Sequence, residues 1–187
     1  VDGNDINDRM PDWALNGFKR PSKSIPVIAP DSSLVFNCPC SKTVVHWAGN
    51  DTFNPAAIVK DGRIVLLFRA EDNYGKGIGK RTSRIGYASS KDGIHFITEA
   101  EPVMYPDNDE QFSLEWPGGC EDPRVAVTKD GMYVMMYTQW NRKTARLAVA
   151  TSRDLKHWTK HGPAFGKAYD GRFRDLFCKS VSRTEKW

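Results

Sequence analysis

The chain has 187 residues, 40% hydrophobic and 27% charged, a composition ordinary for a globular protein, long enough to bury one sizeable core and unlike a disordered segment. Its 27 Lys and Arg against 23 Asp and Glu leave a net charge of +4, spread along the chain rather than gathered into the basic patch that nucleic acid requires. No stretch approaches the roughly 20 apolar residues of a membrane helix, and apolar runs such as Ile64 to Phe68 have strand length.

Residues 1–50 are Pro- and Asn-rich and predict an N-terminal extension packing on the main body rather than a domain of its own, with room for one helical turn over Asp12 to Phe18. Val1 to Asp5 carries neither the basic nor the apolar region of an export signal, which leaves the compartment open. Cys38 and Cys40 flank a single proline. That spacing suits neither a neighbouring disulfide nor a zinc knuckle, so these cysteines, with Cys120 and Cys178, are expected to be free thiols. His46, His95, His157 and His161 show no metal-triad spacing.

From residue 51 onward the pattern is strand and turn. Thr52-Phe53-Asn54-Pro55-Ala56 leads into Lys60-Asp61-Gly62-Arg63, where Asp-Gly between β-rich runs is a hairpin signal because Gly takes φ > 0 without steric cost. The second strand then runs into Arg69-Ala70-Glu71-Asp72-Asn73, either a solvated loop with surface ion pairs or a set of planar groups suited to sugar hydroxyls. Ile85 to Phe96 supplies a strand, a turn and an aromatic-ended strand. Gly118-Gly119-Cys120-Glu121-Asp122-Pro123-Arg124 and a Lys129-Asp130-Gly131 turn follow, and Leu147 to Trp158 repeats the pattern of Ile85 to Phe96.

These recurrences keep one order. Asp92 and Asp154 are related by an offset of 62 residues, Lys60 and Lys129 by 69, and Asn54 and Asp122 by 68. Four strands per repeat of about 60 to 70 residues is the signature of a β-propeller blade, with a β-sandwich as the weaker alternative. Two blades cannot close a ring. The chain therefore reads as an incomplete propeller over residues 51–187, with a linker from Gly162 to Gly171 and a third blade opening at Phe173 to Trp187.

In a propeller, the loops entering the innermost strands surround a central channel, so Asn54 and Asp122 would face one cavity. Proline after each biases the preceding residue to an extended conformation that would aim both side chains reproducibly. Arg124 could lower the pKa of Asp122, whereas burial beneath a sugar would raise it. Asp122-Pro123-Arg124 could equally cap a strand with an internal salt bridge. Trp116, Tyr137 and Trp140 offer aromatic faces for a pyranose or, alternatively, blade core. The recurring His95 and His157 point to a structural role, and Ser89-Ser90 and Thr151-Ser152 to turns rather than nucleophiles.

The set Thr52-Phe53-Asn54-Pro55-Ala56-Ala57, Leu67-Phe68-Arg69-Ala70-Glu71-Asp72, Thr82-Ser83-Arg84-Ile85-Gly86 and Gly119-Cys120-Glu121-Asp122-Pro123-Arg124 resembles glycoside hydrolase family 130, from about Phe53 to the end of the chain. The resemblance implies an all-β, five-bladed propeller, of which this chain supplies about two blades and the start of a third. It also implies an inverting enzyme acting on β-linked mannosides, with a β-1,2-mannosidase placed first, on the Glu115 to Gly119 approach and the long N-terminal segment. A mannoside phosphorylase releasing mannose 1-phosphate and a non-catalytic sugar-binding propeller are the alternatives. By position it makes Asp122 the proton donor, acting directly or through the 3-hydroxyl of the bound mannose. Asn54, Arg69 and Asp72 would hold that mannose, and Arg124 would support Asp122.

No cofactor or metal is implied beyond inorganic phosphate as co-substrate of a phosphorylase. The implied partner is an oligosaccharide, with neither nucleic acid nor membrane, and a homo-oligomer is left open. Arg172, Arg174 and Lys179 are candidate anion ligands or a solvated edge.

Overall fold

The computed structural model of the chain describes residues 26–72, 76–77 and 79–179. The helical turn expected over Asp12 to Phe18, residue Asn73 and the last part of the expected third blade lie outside the described residues.

A short hairpin, β1 (Asp31–Cys38) and β2 (Thr43–Ala48), precedes two antiparallel meanders of four strands each. The first is β3 (Asp51–Lys60), β4 (Arg63–Glu71), β5 (Ser83–Ser90) and the short β6 (Ile97–Thr98). The second, after the single helical turn α1 (Phe112–Glu115), is β7 (Gly119–Val127), β8 (Tyr133–Trp140), β9 (Ala145–Ser152) and β10 (Thr159–Pro163). The protein is thus mostly β, and the two predicted repeats correspond to the two meanders.

The turns explain how far the repeat holds. Asp61 (φ 50°) and Gly62 (φ 69°) form a two-residue loop with both central residues at positive φ, the geometry that matches strand twist. In the second meander the equivalent Asp130-Gly131 sits in a wider loop, closed by Thr128 N–H donating to Met132 O at 2.8 Å and by the Thr128 hydroxyl on Asp130. The two outer turns match closely. Asp92 accepts from the Ile94 and His95 amides and contacts the His95 ring, and Asp154 does the same with Lys156 and His157. Both histidines therefore serve the turn.

The apolar run in β4 is buried on both sides, and period-two alternation sends neighbouring residues to different cores. Val65 and Leu67 join Ile85, Met135, Tyr137 and Leu155 in the core that spans both meanders. Phe68 and Ala70 point the other way and meet Phe36 and Trp47 of the first hairpin. The β1–β2 hairpin thereby covers the second face of β4.

One parallel bridge, Ser83 to Gly119, joins the two meanders, reinforced by Ser83 N–H donating to Gly118 O at 2.8 Å. Gly119 has φ 121°, and a Cβ there would lie 2.1 Å from Ser83 O. Replacing it with alanine must separate the sheets at the point where they touch. Gly119→Ala should lower stability by roughly 2–4 kcal/mol, read as a shift in urea midpoint with unchanged slope.

Candidate active site

Strands β3 and β7, the first of each meander, share one irregularity. The pairing of β3 with β4 slips between Phe53 and Ala56, and that of β7 with β8 slips between Glu121 and Arg124. At these bulges Asn54 (φ 49°) and Asp122 (φ 51°) adopt the left-handed conformation. The extended backbone expected before Pro55 and Pro123 is not found. A bulge inserts an extra residue that needs a sharp local turn, short polar Asn and Asp are the non-glycine residues that best tolerate φ > 0, and proline at the break forfeits no ladder donor.

The bulges also decide which side chains meet. In a regular strand Glu121 and Asp122 would face opposite sides; here both turn to one cage, as do Phe53 and Asn54. Asn54 Nδ2 donates to Asp122 Oδ1 at 2.8 Å. Arg69 reaches Asp122 Oδ1 (3.2 Å), Glu121 Oε1 (2.8 Å) and Glu71 Oε1 (2.5 Å), while its Nε donates to the Ser83 hydroxyl. Its guanidinium lies 4.6 Å above the Phe53 ring, a cation–π contact. Lys179 closes the group, at 3.0 Å from Asp122 Oδ2 and 3.2 Å from Glu121 Oε2. Behind Arg69, Glu71 is also held by Arg81.

Burial pushes the Asp122 carboxyl up, but the Asn54 hydrogen bond, Lys179 and the Arg69 charge together outweigh it and leave the group below its ordinary value. Glu121 goes the other way. Burial, assisted by the neighbouring Asp122 charge, raises it despite Arg69 and Lys179. The two adjacent carboxyls are thus shifted in opposite directions by the same set of neighbours.

Of the residues singled out in the sequence, Asn54, Arg69 and Asp122 come together. Asp72 does not join them. Arg69 and Glu71 lie on one face of β4, and the pleat sends the next residue to the other side. There Asp72 pairs with Arg84 Nη1 at 2.6 Å and accepts from Thr82 N–H at 2.9 Å. Arg124 is exposed and donates to the Pro123 carbonyl at 2.7 Å, so the charges that lower Asp122 are Lys179 and Arg69 instead. Tyr137 is core, its hydroxyl donating to the buried Glu115 at 2.7 Å, and Glu115 in turn pairs with Lys160 at 2.6 Å beside β7. The sequence reading includes Glu71 in the segment suited to sugar hydroxyls without giving it a role of its own, offers Lys179 only as a candidate anion ligand, and leaves Glu121 out of the site. Period two links Glu71 to Arg69 and could have found it, but nothing local connects Lys179 to a carboxylate 57 positions earlier.

A glycoside hydrolase family 130 model, described as beta-1,4-mannooligosaccharide phosphorylase, matches residues 19–179. A 1,2-β-oligomannan phosphorylase of Thermoanaerobacter sp. (strain X514) is 40% identical over 125 residues, which are 63% of this chain and 39% of that protein. One solved structure is 65% identical with a TM-score of 0.88 over 91% of this chain and 48% of the other. It is described with the finding that the GH130 family of mannoside phosphorylases contains glycoside hydrolases targeting β-1,2 mannosidic linkages in Candida mannan. A glycosyl hydrolase from Bacteroides ovatus is 64% identical with a TM-score of 0.88, over 92% of this chain and 48% of that one. The chain thus spans about half the length of the solved relatives it matches.

Proposed function

The chain belongs to glycoside hydrolase family 130, and from that premise we propose that the protein cleaves β-linked mannosides with inversion, with Asp122 as proton donor. The observation that carries the proposal is the cage in which Asn54 and Arg69 hold a buried Asp122. We read the two meanders as consecutive blades of a five-bladed β-propeller over residues 51–187, with residues 1–50 as an extension packed on it. Asn54 and Asp122 then face the central channel at equivalent places in successive blades.

Both Asp122 oxygens are engaged by protein groups, Oδ1 by Asn54 and Arg69 and Oδ2 by Lys179. A mannose whose hydroxyls compete for Arg69 and Lys179 removes part of the force that lowers the Asp122 pKa, and its apolar ring face adds burial that raises it. The protonated carboxyl can then give its proton to the glycosidic oxygen, directly or through the mannose 3-hydroxyl, as the C1–O bond breaks. The attacking oxygen arrives on the opposite ring face.

Phosphorolysis is the better supported form. The family description and the Thermoanaerobacter relative both carry phosphorylase names, which shifts the weight away from the hydrolase that the sequence motifs put first. Here a phosphate oxygen attacks C1 and the product is α-mannose 1-phosphate. Hydrolysis is the second reading, favoured by the solved structures at 65% and 64% identity, described with glycoside hydrolases.

One assay separates them. The full-length protein incubated with β-1,2-mannobiose should form mannose 1-phosphate only when inorganic phosphate is present. Equal release of free mannose with and without phosphate would assign hydrolysis, and no sugar product in either case would overturn both.

A further inference from the structure

The chemistry proposed above uses Asp122 and leaves Glu121, buried beside it, without a task. Both side chains are almost fully enclosed, at 7% and 5% exposure. A carboxylate placed there only to satisfy one cation would take that cation for itself. The structure shows something different. Arg69 spans Glu121 Oε1 at 2.8 Å and Asp122 Oδ1 at 3.2 Å. Lys179 spans Glu121 Oε2 at 3.2 Å and Asp122 Oδ2 at 3.0 Å. Each cation bridges both acids, and each acid touches both cations. Such a ring exists only because the bulge at Asp122 turns two consecutive residues to the same side.

We propose that Glu121 is a positioning residue that holds Arg69 and Lys179 partly away from Asp122, so that two full cations do not lock the proton donor as a carboxylate. The inference rests on Asp122 being that donor. The other groups facing the pair keep this balance local. Asn54 on β3 donates to Asp122 alone. The Ser83 hydroxyl on β5 lies 3.3 Å from both Glu121 Oε1 and Glu71 Oε1, with one hydrogen to give to either. Glu71 on β4 draws on the remaining side of Arg69 and is itself held by Arg81. With Glu121 neutral, Arg69 and Lys179 turn wholly to Asp122, its charged form gains, and it gives up its proton at lower pH.

The test is the titration of carboxyl carbons in the unliganded full chain labelled with carbon-13, the Asp122 signal being assigned by its loss in Asp122→Asn. In Glu121→Gln the Asp122 midpoint should fall by roughly 1 pH unit, and in Glu121→Asp, which restores the charge, it should stay near the wild-type position. An unchanged midpoint in Glu121→Gln overturns the proposal, since a merely structural glutamate would not move its neighbour's titration. If Glu121→Gln does not fold, Lys179→Met decides, because loss of a shared cation should raise the midpoints of both carboxyls. A rise confined to Asp122 overturns it. As no substrate is involved, failure here is distinct from failure of the mannobiose assay.

Discussion

Asp122→Asn in the full-length protein should lower the turnover of β-1,2-mannobiose by about 10²–10⁴-fold, the range that a positioned proton donor contributes. The change is nearly isosteric. The asparagine carbonyl can still accept from Asn54 Nδ2, and Arg69 and Lys179 still have Glu121 to pair with. The melting temperature should therefore stay close to wild type while kcat collapses. A rise in KM with kcat preserved would mean that Asp122 only binds the sugar in an enzyme whose proton donor lies elsewhere, whereas a non-catalytic sugar-binding propeller predicts mannoside binding with no turnover even in the wild type. Near-normal kcat/KM would remove Asp122 from the chemistry altogether.

The largest stability effect is expected at Arg69. Among the described residues its guanidinium alone touches Glu71, Glu121 and Asp122, and all three carboxylates are buried. Methionine keeps much of the length and the contact with Phe53 but removes the charge. Taking one partner from a buried ion network typically costs 3–5 kcal/mol, which for a chain of this size lowers the melting temperature by about 10 °C. The sign of the pH dependence identifies the cause. Without Arg69, the Glu121 carboxyl, already raised by burial, is harder still to ionise in the folded state and its folded pKa moves further above the unfolded one, while Asp122 loses one of the charges that lower it. Stability is then recovered as the pH falls toward the raised Glu121 value and lost as it rises through it. The deficit of Arg69→Met relative to wild type should therefore shrink between pH 7 and pH 4.5. An equal deficit at both would assign it to a poor fit of the methionine side chain in the cage rather than to the lost charge.

Both variants probe a site that was only partly readable along the chain. The equivalence of Asn54 and Asp122 follows from counting, because each precedes a proline and a hairpin in successive repeats. Their backbone conformation does not, because the rule for residues before proline describes a chain free to relax, and a bulge between paired strands imposes a different turn. Asp72 illustrates the limit of adjacency. It belongs to the same Arg-Ala-Glu-Asp motif as Arg69, yet the pleat places it against Arg84, in the side of the structure covered by the first hairpin.

The sequence by itself determined the β class, the two repeating meanders, the paired turns built on Asp92 and Asp154, and the correspondence of Asn54 with Asp122. These are local or periodic properties, set by alternation, turn chemistry and spacing. Only the tertiary structure decided that Glu121 shares the cage with Asp122, that Arg124 stays outside it, and that Lys179 enters from the far end of the described chain. Those outcomes depend on where two bulges redirect the backbone and on how a segment distant in sequence closes over it, and no local pattern carries that information.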